Sequence, residues 1–220
     1  MLIAEIGNNH FGDIELAKQL IKAAHDSGAS ISKMQAGVDR GSMPSRFYKQ
    51  VSFTQGEYIL LIDYARSLGS DLFCSVFSPG FDKLRAHQNW EKIAANQYRT
   101  NFPDGPQTIA SVPLNSYLKP LKAANLMHVT EYMSTDPRLD RISKLNAYYG
   151  RQCGYSDHTK GIDNCALAII DWGARFVEKH FTLEHNMQWE GWVFRDTVHG
   201  ATPEEFSQLS KIYRDQMKGK

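Results

Sequence analysis

Cysteine is scarce in this 220-residue chain: Cys74, Cys153 and Cys165 lie far apart, in strand-like or helical apolar surroundings. That spacing argues against a disulfide framework or a cysteine-built metal site and reads as buried free thiols. Charge of one sign is lacking as well. Twenty-five Lys and Arg against 24 Asp and Glu leave a formal net charge of +1, and no run of like charges points to nucleic acid or an anionic membrane. A small neutral or anionic ligand fits such a chain better. Long apolar runs are missing: none approaches the ~20 residues of a membrane span, and Met1-Leu-Ile-Ala is too brief for a signal peptide. A soluble, cytoplasmic protein is the expectation. No internal repeat, low-complexity tract or linker interrupts the chain, and 42% hydrophobic residues suffice for one continuous core. One compact domain over residues 1–220 is therefore expected.

What is present is a β-α rhythm. Leu2–Ile6 reads as a buried strand, followed by a helix over Asp13–Ala24 with Ala17, Leu20, Ile21 and Ala24 at helical spacing. Ser30–Gln35 reads as a second strand, and Ala36–Ser52, with Gly, Pro and basic residues, as a long loop. Thr54-Gln-Gly-Glu57 is a capping box opening a helix to about Leu68. Leu72–Phe77 and Trp90–Ala95 are strands flanking a short helix at Asp82–His87. The rhythm weakens from Asn96 to Val112, where a strand at Gln107–Ser111 is expected but a helix is short or missing. It resumes with a helix over Leu114–Ala124, a strand over Leu126–Thr130 and a helix over Pro137–Tyr149. Thr202-Pro-Glu-Glu205 supplies an N-cap, a proline at the first helical position and a glutamate at the third, opening a last helix to about Met217. Eight strands alternating with helices make an α/β fold whose simplest closed form is a (β/α)8 TIM barrel, compact and shortened around strands 4 and 5.

Chemistry concentrates in two stretches. Tyr155-Ser-Asp-His-Thr-Lys-Gly161 and Phe176-Val-Glu-Lys-His-Phe-Thr-Leu183 each read as a strand with polar residues at its C-terminal end. The helical segment between them, ending at Gly173, makes the whole a parallel βαβ crossover. Alternation along a strand puts Ser156 with His158 on one face, and Glu178 with His180 on one face, so two histidines converge. In a barrel the mouth then also gathers Glu5, Lys33, Gln35, Ser78, Lys92, Ser111 and Thr130. Two histidines suit a divalent metal with open positions, and two lysines suit a phosphate or carboxylate. A metal, two cations and the Glu5 carboxylate together suit an anionic substrate and a polarised carbonyl. Asn8, just after the first strand, is placed to bind substrate hydroxyls, although Asn and Gly there also suit an ordinary turn.

Ile3-Ala-Glu-Ile-Gly-Asn-Asn-His10, Lys33-Met-Gln35, Lys92-Ile-Ala94, Tyr155-Ser-Asp-His-Thr159 with Gly161, and Glu178-Lys-His-Phe-Thr-Leu183 occur in the order of the motifs of one family. The chain resembles the sialic acid synthases, which condense phosphoenolpyruvate with an amino-sugar to make N-acetylneuraminate and related nonulosonates. The resemblance implies a TIM barrel in which His158 and His180 bind manganese or magnesium. It implies that Lys33, Lys92, Ser111 and Ser156 hold phosphoenolpyruvate, and that Glu5, Tyr132, Glu178 and Asp196 face the amino-sugar, with Glu5, Glu178 and Asp196 as the catalytic carboxylates. Carbon 3 of phosphoenolpyruvate would attack the open-chain aldehyde, water would add at carbon 2, and phosphate would leave. Family dimers make a homodimer the assembly to look for.

The chain also departs from that pattern. Ala95 and Gln97 stand where the family shows a serine and a glutamate suited to proton transfer, and an amide is neither acid nor base. Thr130 replaces an asparagine, the region of the fifth strand is shorter, and a Gly-Pro-Asp-His pattern survives only as Phe194-Arg-Asp-Thr197. The family's C-terminal antifreeze-like domain, which lends an arginine to the neighbour's site, is expected to be absent. Three readings follow: a compact synthase; a barrel that binds metal and a sugar or phosphate without catalysis; or another metal-dependent barrel enzyme, such as an aldolase or isomerase, with Glu178 as base.

Overall fold

A computed structural model describes residues 1–38, 45–93, 107–112, 125–130 and 134–218. Among these, eight parallel strands form one sheet: β1 (Leu2–Gly7), β2 (Ile31–Ala36), β3 (Leu72–Val76), β4 (Glu91–Ile93), β5 (Thr108–Val112), β6 (Asn125–Val129), β7 (Gly154–Asp157) and β8 (Val177–His180). Their lateral order is β3-β2-β1-β8-β7-β6-β5-β4. The first and last of that order, β3 and β4, lie side by side, so the sheet curls into a nearly closed barrel, as the β-α rhythm predicts.

Alternation along each strand sorts the side chains into two layers. Ile3, Ile31, Phe73, Ile109, Met127 and Phe176 point inward and plug the lower barrel. A Cβ at Gly154 would stand 2.4 Å from the Phe176 ring, so glycine is what lets that plug seat. The outward residues Leu2, Ala4, Ile6, Met34, Leu72, Cys74 and Val177 pack beneath the helices. Those helices are α1 (Ile14–Asp26), α2 (Ser45–Val51), α3 (Gln55–Ser67), α4 (Asp82–His87), α5 (Asp140–Tyr149), α6 (Asp163–Ile170), α7 (Arg195–His199) and α8 (Pro203–Lys218).

Local chemistry sets their ends. The capping box of α3 forms, Thr54 N–H donating to Glu57 Oε2 at 2.7 Å and Glu57 N–H to Thr54 Oγ1 at 3.3 Å. Thr202 and Glu205 start α8 in the same way. Gly173, at φ 67°, lets Ala174 N–H return to the Ala168 carbonyl at 2.8 Å after α6. Helix α5 begins at Asp140 rather than Pro137. Asp136 Oδ1 accepts the Arg138 N–H at 3.0 Å and Arg138 takes a φ of 50°, a local turn that delays the first helical residue.

One further expectation is corrected. The stretch 36–52, expected to be a loop, carries α2, whose Phe47, Tyr48 and Val51 pack with Val38 and Phe194. After β8, a hairpin of β9 (Gln188–Trp189) and β10 (Trp192–Val193) turns through Glu190 and Gly191, both with positive φ as a type I′ turn requires. The helix expected at 114–124, and Ala95, Gln97 and Tyr132, lie outside the described residues. All three cysteines are buried and free. No helix among the described residues is long and apolar enough to cross a membrane.

Candidate active site

The upper layer of the barrel is polar because the inward positions that follow the apolar plug are Glu5, Lys33, Ser75, Lys92, Ser111, Ser156 and Glu178, all buried. Parallel register aligns them. Glu5 sits opposite Lys33 on one side and His180 on the other, and Glu178 sits opposite Ser156. A register shift in β1 between Glu5 and Gly7 breaks the alternation there. Gly7, at φ 57°, leaves room for the Glu5 carboxylate, which a Cβ would approach to 3.2 Å.

Glu178 is the centre of this layer. Its Oε1 accepts from Ser156 Oγ at 2.9 Å and from Lys92 Nζ, while Lys33 Nζ lies 3.0 Å from its Oε2. Lys33 also pairs with Glu5 Oε2 at 2.7 Å. Lys33 thus bridges the Glu5 and Glu178 carboxylates. Burial opposes ionisation of Glu178, but the neighbouring Lys33 and Lys92 charges outweigh it and hold the carboxyl below its usual range. Lys33 itself is held down to about 7, chiefly by burial and further by the Lys92 charge, against the pull of Glu178. Gln35 donates to Glu5 Oε1 at 3.3 Å and accepts from Asn8 Nδ2 at 3.2 Å, so Asn8 enters the same network. Ser111 is buried at the end of β5, whose neighbouring strand carries Lys92.

The imidazoles form a second group above this one. The His158 and His180 rings converge as their strand positions predict, with centroids 5.1 Å apart. A third ring, His199, stands 4.7 Å from His180 and 6.1 Å from His158. Donor atoms of His180, Asp196 and His199 all lie within 4.8 Å of one another. Burial pushes the His158 and His199 pKa values down to about 4, and that of His180 well below the usual range. Such rings stay neutral at pH 7, the form that binds metal, and the Nδ1 atoms of His158 and His180 have no hydrogen-bond partner among the described residues. The donor set therefore fits a divalent ion.

The strand positions that alternate with the histidines face the helices and are charged too. Lys179 Nζ meets Asp157 Oδ2 at 2.6 Å, both side chains fully buried, and Asp157 Oδ1 also accepts from Tyr155 OH at 2.9 Å and Thr159 Oγ1 at 2.8 Å. This outward pair ties β7 to β8 directly below the two histidines. Near the first strand, His10 stacks on Phe53 at 4.4 Å and Asn9 Nδ2 donates to the Phe181 carbonyl at 2.7 Å, so both serve the turn rather than the cavity.

Sequence reasoning missed His199. It lies on a five-residue helix, and only its i, i+3 spacing from Asp196 could have flagged the two as sharing a face.

A NeuB family profile matches residues 122–219. N,N'-diacetyllegionaminic acid synthase of Legionella pneumophila is 27% identical, the alignment covering 97% of this chain and 71% of that protein. N-acetylneuraminate-9-phosphate synthase of Mus musculus is 24% identical over 97% of this chain and 69% of its own length. The crystal structure of the N-acetylneuraminic acid (sialic acid) synthetase from Leptospira borgpetersenii superposes with a TM-score of 0.82 at 27% identity, covering 99% of this chain and 83% of that one.

Proposed function

We propose, from its similarity to the sialic acid synthases and from the geometry of the site, that this chain condenses phosphoenolpyruvate with an N-acetylated amino-sugar, such as N-acetylmannosamine. The products are a sialic acid or related nonulosonate and phosphate. The observation that carries this reading is the junction at Glu178, where two buried lysines and a serine meet one carboxylate beside a group of neutral imidazoles.

Lys33, Lys92, Ser156 and Ser111 bind the phosphate and carboxylate of phosphoenolpyruvate, the lysines exchanging part of their pairing with Glu5 and Glu178 for the ligand. Because the cations are already fixed and shielded from water, little reorganisation is needed as charge shifts in the reaction. Glu5, Glu178, Asn8 and Asp196 face the sugar, with Tyr132 as the further sugar contact implied by the family resemblance. A manganese or magnesium ion held by His158 and His180 would polarise the aldehyde and orient it toward carbon 3 of phosphoenolpyruvate. Carbon 3 bonds to the aldehyde carbon, water adds at carbon 2, and the carbon–oxygen bond to phosphate breaks.

The test is phosphate release from phosphoenolpyruvate with Mn2+ and a panel of N-acetylated hexosamines. Sugar-dependent release supports the reading, and its absence with every sugar overturns it. Gln97, an amide where the family has a carboxylate, favours a second reading in which ligands bind without turnover. Phosphoenolpyruvate binding by calorimetry with no phosphate release, even in Gln97→Glu, would select it.

A further inference from the structure

Three imidazole rings, those of His180 and His199 buried and that of His158 half-buried, crowd one end of the barrel where the pair of motif strands supplies only two. The third comes from α7, and the local structure explains how it gets there. After the β9–β10 hairpin, Thr197 closes a turn on the Phe194 carbonyl, through its N–H at 3.1 Å and its Oγ1 at 2.7 Å. At the far end of α7 the chain re-joins the barrel. Ala201 pairs with Phe181, its N–H donating to the His180 carbonyl at 2.7 Å, and Thr182 N–H returns to the Ala201 carbonyl at 3.0 Å. Helix α7 is thus pinned at both ends, with Asp196 and His199 turned together toward His180. Gly200 permits the approach, since a Cβ there would stand 3.0 Å from the Asp196 carbonyl oxygen and 3.2 Å from Thr182 Cγ2.

The tautomer is fixed as well. His199 Nδ1 lies 3.1 Å from the Arg195 carbonyl, which can only accept, so Nδ1 carries the proton and Nε2 the lone pair. A backbone carbonyl holding the second nitrogen of a ring in this way is the usual support of a metal-binding histidine.

We propose that His199 and Asp196 are ligands of the same divalent ion as His158 and His180, making a centre of three imidazoles and one carboxylate. This rests on the metal-binding part of the proposed function and extends it. Three nitrogen donors change which ion the site prefers: imidazole-rich sets suit Zn2+, Co2+ or Fe2+, whereas Mg2+ wants mostly oxygen. They also leave fewer positions open to a sugar than a two-histidine site would.

Co2+ is the probe, titrated into the full chain and into His199→Phe, Asp196→Asn and His158→Phe. Absorption bands report the geometry, and paramagnetically shifted signals in 15N-histidine-labelled protein count the bound rings. Three shifted histidines are expected in the wild type and two in His199→Phe. Affinity in that variant should drop by more than the roughly 100-fold that loss of a supporting partner costs. Asp196→Asn should move the absorption bands, and Mg2+ should fail to displace Co2+ from the wild type. Two shifted histidines in the wild type overturn the proposal even if a variant fails to fold. Metal lost in His158→Phe but kept at wild-type affinity in His199→Phe also overturns it, while leaving the two-histidine reading standing. No Co2+ binding at all overturns both.

Discussion

Lys33 should change its protonation when an anion binds. Its ammonium is held to about 7 by burial and by the Lys92 charge, with Glu178 opposing. A phosphate or carboxylate brought against it favours the protonated form, so above that value the complex holds more protons than the free protein. Affinity should therefore fall as pH rises through about 7, and binding at pH 8 should take up roughly 0.9 proton per site, since a group with its pKa one unit below the pH is about nine-tenths deprotonated. Calorimetry with phosphoenolpyruvate, run at one pH in buffers of different ionisation enthalpy, reads that uptake directly. Lys33→Met keeps the stem and removes the charge. It should abolish the uptake and cost about 1.5–3 kcal/mol of binding, the worth of a charged hydrogen bond, or roughly 10- to 150-fold in affinity. Wild-type uptake near zero at pH 8, or uptake that persists in Lys33→Met, would refute the reasoning.

Three further outcomes are expected. His10 is fully buried and its pKa is lowered to about 3 by desolvation, against the Gly7 carbonyl and Asp13. The unfolded chain protonates first, so this stability is present above about pH 6.5 and lost as pH falls toward 3, about 2 kcal/mol of it by pH 5. Denaturant midpoints at pH 7 and 5 should differ less in His10→Phe than in wild type, and equal differences would count against it. Gly154→Ala should cost about 1–3 kcal/mol by forcing Phe176 from its place, and an unchanged melting temperature would mean that the plug yields freely. Lys179→Met strands the buried Asp157 charge and should cost about 3–5 kcal/mol, with part recovered in Lys179→Met/Asp157→Asn. A wild-type unfolding midpoint for the single variant would show that the pair is not coupled.

The barrel was legible because its signals are local. Strand alternation, the Thr54 and Thr202 caps and the glycine after α6 each act over a few residues, and the structure keeps them. The convergence of His158 and His180 followed from parity in two adjacent parallel strands. What escaped the sequence depends on contacts distant along the chain. Helix α2 has two turns, too few for a periodic pattern, and is held by aromatic packing of Phe47 on Phe194 and Trp189. Helix α7 is shorter still, and only the return of Ala201 to β8 brings His199 above His180. The lysines face the barrel interior as alternation predicts, but they lie within β2 and β4 rather than at the strand ends where the sequence had put them. That both would converge on Glu178, rather than stand free to receive an anion, is a property of three strands together and has no signature in any one.

The outward Lys179–Asp157 pair has a bearing on how β7 and β8 align. Along β7 and β8 the ion pair and the histidines occupy alternate residues, so each strand presents chemistry on both sides. A slip of one residue in either strand would turn a charged group toward the wrong layer, separating the ion partners and driving a histidine under the helices. An apolar strand pair pays little for such an error. Here a misregistered β7–β8 pair carries an uncompensated buried charge, so these two strands admit a single alignment, and the same side chains that assemble the site also proofread the fold.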